Sequence, residues 1–282
     1  MKSKTNYSFY RLIRALRPLC AVVLCALSLA ACSPATPASS GADPLDEPTP
    51  PPDSLQTIEP APTPTPAGAF IPIEPVEASG SIAGAEREDA SQAAIPLDYS
   101  LRVPNINDPR AAALNDEYAE TLRYYQDDFA PMFAEDAASL LENPDASQTL
   151  ELYFDYDVKY NDGKIISILF VEGTLVGDQY GETYYAETYS FDEGRALTLE
   201  DVISSGESAY EAAAKEIARQ IDEARRSDDP WGYYENVDEN AVAMYLSDTS
   251  FYLNADGAVV LILNPAFISP CVSGVCEFIM HK

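Results

Sequence analysis

Hydrophobic and polar residues alternate through the middle of the chain with the two-residue period of a β-strand. In "ELYFDYDVKY" the apolar or aromatic residues occupy every second position, from Leu152 to Tyr160. This segment ends at the turn sequence "NDG", and two further strand-like segments, "KIISILFVEGTLV" and "ETYYAETYSF", follow it. Three successive strands joined by short turns predict an antiparallel meander.

Two other segments have helical periodicity. In "NDPRAAALNDEYAETLRYYQDDF" Asp108 is the predicted N-cap, and Pro131, just beyond it, is expected to kink or end the helix. In "SGESAYEAAAKEIARQIDEARR" Ser208 and Glu211 are the predicted capping box. The combination predicts an α+β fold, in which helices pack on a largely antiparallel sheet and a disordered proline-rich stalk precedes the domain.

That stalk sets the domain boundaries. Eleven prolines lie between Ser33 and Pro66, with few large apolar residues among them, so the segment favours extended polyproline II over a packed core. We therefore predict that residues 32–92 are a disordered linker and that residues 93–282 are the folded domain. Two lobes, 93–192 and 193–282, are the alternative subdivision of that domain.

The first 31 residues have the composition of a secretory signal peptide. Five basic residues and no acidic residue precede an apolar run of 13 residues that ends at Ala31, short of the roughly 20 that a spanning helix needs. The sequence "LAAC" resembles a bacterial lipoprotein box, with ordinary small-residue cleavage nearby as the alternative. We therefore expect residues 1–31 to be removed and Cys32 to be lipidated, which anchors an extracytoplasmic protein to the bacterial cell membrane.

Removal of the signal peptide makes the chain strongly acidic. Of 17 Lys and Arg residues, 12 remain against 46 Asp and Glu, for a formal charge of −34. Such a charge repels nucleic acid and attracts basic partners, so we expect no nucleic acid to bind. The same acidity also keeps a domain soluble, and charge alone does not separate these two roles.

Motifs for catalysis are missing from the sequence. His281 is the only histidine and stands next to the C-terminus, which argues against nucleophilic pairs and histidine-ligated metals. No nucleophile elbow, P-loop or dinucleotide-binding motif is present. We therefore expect no catalytic residue, no metal and no cofactor.

The segment "ISPCVSGVCEF" contains Cys271 and Cys276, the two thiols that remain after cleavage and lipidation. Zinc needs four ligands, which two cysteines do not supply. A redox centre favours C-x-x-C in a thioredoxin-like context, whereas four residues separate these two cysteines. We therefore predict a disulfide that closes the short loop between the two cysteines.

Aromatic residues mark one candidate binding segment, "DDPWGYYENVDE". Trp231, Tyr233 and Tyr234 stand there among acidic residues and would suit a basic protein or a sugar ring. The alternative is that these rings cover helix ends and the edge of the core. A second tyrosine group is interpreted as ordinary strand composition; it comprises Tyr180, Tyr184, Tyr185 and Tyr189.

Two stretches resemble the extracytoplasmic domain shared by the anti-sigma factor RsiV and the peptidoglycan deacetylase PdaC. The matching positions are Phe191-Asp192, Gly194, Leu197 to Ile203, Asn264-Pro265, Ile268, Pro270, Gly274 and Phe278. The resemblance implies a cell-wall-associated bacterial surface domain, which in RsiV is a receptor for the basic enzyme lysozyme.

This chain departs from those proteins in three ways. The segment of about 18 residues before the apolar run is shorter than a cytoplasmic sigma-binding domain, so we expect no anti-sigma activity; we also expect no deacetylase domain, and the turn "LVGDQYG" lacks the histidine often found in the family. We therefore expect a non-catalytic domain that binds a basic lytic enzyme or peptidoglycan fragments, with a wall-modifying hydrolase or a structural envelope protein as alternatives.

Overall fold

A six-stranded sheet forms the framework of the folded region. The computed structural model describes residues 70–83, 95–140, 149–177, 179–204, 207–227, 232–264, 267–269 and 274–280. The signal peptide, Cys32, most of the predicted linker, Trp231 and Cys271 lie outside the described residues.

The larger sheet has its strands in chain order. They are β1 (Ile73–Ile82), β2 (Leu97–Ile106), β3 (Leu150–Asn161), β4 (Ile165–Val176), β5 (Gln179–Ser190) and β6 (Arg195–Ala196). All neighbours pair antiparallel except β2 and β3, which are parallel because a helical crossover connects them. The predicted meander of β3, β4 and β5 and the largely antiparallel α+β fold are confirmed.

The first strand corrects the predicted linker. β1 lies within the segment 32–92, and all ten of its residues pair with β2. It is an edge strand with mostly exposed side chains, so its composition resembles that of the proline-rich segment before it. A proline is tolerated at such an edge, and β1 contains Pro75.

Helices cross from β2 to β3. Asp108 caps a short 3₁₀ turn, and its carboxylate accepts a hydrogen bond from the backbone N–H of Arg110 at 2.8 Å. Helix α1 (Ala112–Tyr124) then leads through a π-helical turn into α2 (Ala130–Leu140). Pro131 therefore does not end the helical run, because the wider turn directly before it interrupts the regular helix.

The C-terminal half forms a second sheet of three antiparallel strands. These are β7 (Phe251–Leu253), β8 (Val259–Leu263) and β9 (Cys276–Ile279). Three helices precede them, namely α3 (Leu199–Val202), α4 (Ala209–Arg226) and α5 (Glu239–Ala243). Within the described residues, none of the helices has the length and apolar character that crossing a membrane requires.

The predicted capping box of α4 is wrong. The hydroxyl of Ser208 donates to Glu200 at 3.2 Å, and the same carboxylate accepts from the N–H of Ala209 at 3.1 Å. A capping box does form one helix earlier, between Thr198 and Asp201. Glu200 takes over the capping role at α4 because the short helix α3 brings it beside the first turn.

Three buried clusters define the layers. Helices α1 and α2 cover one face of the larger sheet, which we call the inner face. On the opposite, outer face, Leu169 and Ala186 pack against Tyr252, Val260 and Ile262 of the smaller sheet. The other face of the smaller sheet packs against α4. The order of layers is thus helices, larger sheet, smaller sheet and helix.

Candidate functional site

The smaller sheet covers only part of the outer face of the larger one. Beyond the covered part lie three rows that cross β1 to β5, and we call these fifteen residues the open face. They are Ser81, Asp98, Glu151, Leu175 and Tyr180; Ser79, Ser100, Tyr153, Gly173 and Glu182; and Glu77, Arg102, Asp155, Val171 and Tyr184. Tyr184 stands at the border of the open face, where it also packs against the cluster between the two sheets. Apart from Gly173, none of these fifteen residues is buried.

The open face is acidic. Among its fifteen residues Arg102 is the single basic one, and it forms ion pairs with Glu77 at 3.2 Å and with Asp155 at 2.9 Å. Five carboxylates therefore stand against one guanidinium; they belong to Glu77, Asp98, Glu151, Asp155 and Glu182. The net formal charge of the face is −4, so it attracts positively charged groups.

A glycine shapes the middle row. Tyr153, Gly173 and Glu182 stand directly opposite one another on β3, β4 and β5. The ring of Tyr153 lies across Gly173, where an added Cβ would be 2.0 Å from the Cζ of that ring. Only glycine leaves room for this approach, and the phenol of Tyr153 thereby reaches the carboxylate on the next strand.

Three tyrosine hydroxyls converge on that carboxylate. Tyr153 and Tyr180 donate to one oxygen of Glu182, and Tyr184 donates to the other. The rings of Tyr153 and Tyr180 stack with their centroids 6.3 Å apart and an interplanar angle of 21°. We call these four residues the tyrosine–glutamate cluster.

The contacts of the cluster set its protonation states. Partial burial, and then the hydrogen bonds to Glu182, raise the pKa of Tyr153 and of Tyr184 well above the ordinary range. Partial burial alone would raise the pKa of Glu182, but the three phenolic hydrogen bonds outweigh it and hold this pKa below its ordinary value. At neutral pH the cluster therefore contains three neutral phenols around one carboxylate.

The aromatic segment proposed from sequence is only partly described. Trp231 lies outside the described residues. Tyr233 is half-buried and packs against the core below α4, with its ring centroid 6.3 Å from that of Phe278. The side chain of Tyr234 is exposed, and its backbone N–H donates to the carbonyl of Ile268 at 2.9 Å. A ligand-binding role for these three residues stays a prediction.

The predicted disulfide is likewise only partly described. Cys276 is a free thiol on β9, buried in the core between the smaller sheet and α4, and Cys271 lies outside the described residues. Burial raises the pKa of the Cys276 thiol, although a contact with the Ser269 hydroxyl at 3.8 Å lowers it. As a free thiol Cys276 is therefore protonated at neutral pH; its disulfide with Cys271 stays a prediction.

The four tyrosines of β5 do not form one group. Tyr185 and Tyr189 pack on the inner face, whereas Tyr180 and Tyr184 lie on the open face. Sequence reasoning missed Tyr153, Gly173 and Glu182 as members of a site. One signal was available within β5, because Tyr180, Glu182 and Tyr184 alternate and so must share a face.

Two of the residues that carried the family resemblance make contacts within the fold. Phe191 is buried beside the guanidinium of Arg110, 5.0 Å from the ring centroid. Asn264 accepts from the N–H of Tyr184 at 2.6 Å and donates to its carbonyl at 3.1 Å, which joins the end of β8 to β5. Over the described parts of the chain, no group of three or more His, Cys, Asp or Glu side chains is placed to hold a metal ion.

No family model and no curated protein matches this chain. Two similar solved structures are a DUF3298 family protein from Pseudomonas aeruginosa and a member of the same family from Bacteroides fragilis. The first is 14% identical, has a TM-score of 0.48, and the match covers 74% of this chain and 89% of that chain. The second is 17% identical with a TM-score of 0.45, and the match covers 76% and 90%. Their names state neither a ligand nor an activity.

Proposed function

We propose that this chain is a lipid-anchored surface protein, attached through Cys32, whose folded domain binds a ligand at the bacterial cell wall without catalysis. The ligand is a basic lytic enzyme of the lysozyme type or a fragment of peptidoglycan. The observation that carries the proposal is the open face, a solvent-accessible sheet surface with five carboxylates, three tyrosines and one arginine.

The composition of the open face supports binding. Tyrosine presents a large rigid surface with a polar tip and is enriched at binding hot spots. A strongly acidic surface speeds association with basic partners by long-range attraction. The net charge of the mature chain has the same sign as that of the open face, so the whole molecule favours the same class of partner.

Binding of the purified full chain to lysozyme and to soluble peptidoglycan fragments tests the proposal. We expect binding to at least one of them, and a large loss of lysozyme affinity when Asp98 and Glu151 are both replaced by lysine. Replacement of Glu120 and Asp128 by lysine is the matched control, because it changes net charge equally on the helical side of the domain.

Three results would contradict the proposal. Failure of the wild-type chain to bind either probe would remove the binding role. An equal loss in both double variants would show that net charge and not the open face matters. Release of sugar, acetate or peptide from peptidoglycan, followed by mass spectrometry, would favour the hydrolase alternative.

A further inference from the structure

We propose that the tyrosine–glutamate cluster is a subsite for a cationic side chain, a guanidinium or an ammonium group, presented by a basic polypeptide. This inference rests on the proposed function, because it names the chemical group by which a ligand is held on the open face. It also selects the polypeptide over the glycan as the ligand of this surface.

The number of donor hydrogens in the cluster determines which ligand groups it can bind. Each phenol carries one hydrogen. Tyr184 donates to one oxygen of Glu182, and the hydroxyls of Tyr153 and Tyr180 contact both each other and the second oxygen, so all three hydrogens are used within the cluster. A carboxylate accepts about four hydrogen bonds, so at least one position remains, on the oxygen that Tyr184 contacts. The cluster therefore presents acceptors without a spare donor, and the ligand has to supply the hydrogen.

The rings and the charge favour a cationic donor over a neutral one. The faces of tyrosine rings are electron-rich and attract ammonium and guanidinium groups, and Tyr180 is 56% exposed beside the carboxylate. Hydrogen bonds between charged partners are roughly twice as strong as those between neutral groups. A sugar hydroxyl has one donor and two acceptor positions, so only its donor would find a partner in the cluster.

The surroundings indicate that the cation belongs to a polypeptide. Asp98 and Glu151 lie in the row next to Glu182, and both are exposed. With strands about 4.8 Å apart, the five strands of the open face span roughly 19 Å, which suits an extended segment or protein surface with several basic groups. Such a partner complements the negative charge of the open face, which favours a basic polypeptide as its ligand.

The experiment measures binding of the full chain to a short arginine–glycine repeat peptide. The same peptide with citrulline in place of arginine is the matched neutral probe, and a chitooligosaccharide is the glycan probe. Glu182→Gln removes the charge of the subsite, and Tyr180→Ala removes its most exposed ring. Glu120→Gln is the control variant, because it removes a carboxylate from the exposed surface of α1 on the other side of the sheet.

We expect the arginine peptide to bind and the citrulline peptide to bind at least about tenfold more weakly. Glu182→Gln and Tyr180→Ala should each weaken the arginine peptide by about tenfold, whereas Glu120→Gln should stay within about twofold. Thermal unfolding of each variant checks that the fold is intact, and Tyr180→Ala keeps the test decisive if Glu182→Gln lowers stability.

Other outcomes separate this inference from the proposed function. Equal binding of the arginine peptide by wild type and both cluster variants would overturn the subsite while the proposed function stands. Binding of the chitooligosaccharide that is lost in Tyr180→Ala, without binding of the arginine peptide, would make the cluster a glycan subsite. Binding of no probe, with no binding of lysozyme or peptidoglycan, would overturn both.

Discussion

The outer face of the larger sheet has two halves that the same strands build differently. In the covered half, Ser167 and Leu169 of β4 and Ala186 and Thr188 of β5 are buried beneath the smaller sheet. In the open half, the same two strands carry Gly173, which lies under the ring of Tyr153, and Glu182, which is partly exposed to solvent. The change from one half to the other occurs within about four residues of each strand.

The two halves also use their polar groups differently. The hydroxyls of Ser167 and Thr188 are 2.6 Å apart, and Ser167 also accepts from the N–H of Leu253 at 3.0 Å, so polar atoms there join the two sheets. The phenols of the open half converge instead on a single half-buried carboxylate. Small hydroxyl side chains thus make one half of the face fit for packing, whereas long aromatic and acidic side chains keep the other half at the solvent.

Placing one charge in each half should produce the largest difference. Ala186→Lys buries an unpaired ammonium group between the sheets, and we expect it to lower the free energy of unfolding by about 3 to 5 kcal/mol. Ser100→Lys places the same group on the exposed acidic face and should change stability by no more than about 0.5 kcal/mol. Urea denaturation followed by circular dichroism measures both. Equal losses would show that the two halves do not differ in burial.

The buried hydroxyl pair should have the next largest effect. Ser167→Ala leaves the N–H of Leu253 and the hydroxyl of Thr188 without their shared partner, so we expect a loss of about 2 kcal/mol in the free energy of unfolding. Ser100→Ala on the open half is the control and should cost less than about 0.5 kcal/mol. A loss for Ser167→Ala as small as for the control would mean that the hydroxyl pair does not join the sheets.

A smaller effect is expected from Gly173→Ala, which forces the ring of Tyr153 away from the cluster. We expect a loss of about 1 kcal/mol, because the hydrogen bond between Tyr153 and Glu182 is broken. Combining it with Tyr153→Ala removes the clash, so the double variant should be no less stable than Tyr153→Ala alone. Simple addition of the two losses would contradict the close approach of this ring to Gly173.

Alternation along β5 was enough to predict the two faces of this strand. In this strand Tyr185 and Glu187 alternate with Tyr184 and Ala186, which predicts that the two pairs lie on opposite faces, as the structure has them. The covered and open halves could not be separated in this way, because coverage depends on where the distant smaller sheet packs. The parallel pairing of β2 with β3 and the edge strand β1 were missed for the same reason, since both depend on contacts between segments far apart in sequence.

The tyrosine–glutamate cluster shows the same limit. The pattern of Tyr180, Glu182 and Tyr184 within one strand shows a shared face, but the contribution of Tyr153 depends on the register between β3 and β4. The role of Gly173 can be assigned only once that register is known, because this glycine leaves space for a ring from the neighbouring strand. A sequence predicts the face of a strand residue far better than its neighbours across the sheet.

The smallest expected effect concerns the acid dependence of stability in the open half. The folded-state pKa of Glu182 lies below its ordinary value of 4.5, so its contribution is fully present above that pH and is lost as pH falls through the folded pKa. The carboxylate is only partly buried, so solvent screens its interactions, and we expect a contribution below about 0.5 kcal/mol. Thermal unfolding between neutral and acidic pH should therefore show wild type slightly more stable than Glu182→Gln at neutral pH, with the gap closing in acid. A gap that stays constant across this range would mean that the variant acts through packing and not through the charge of Glu182.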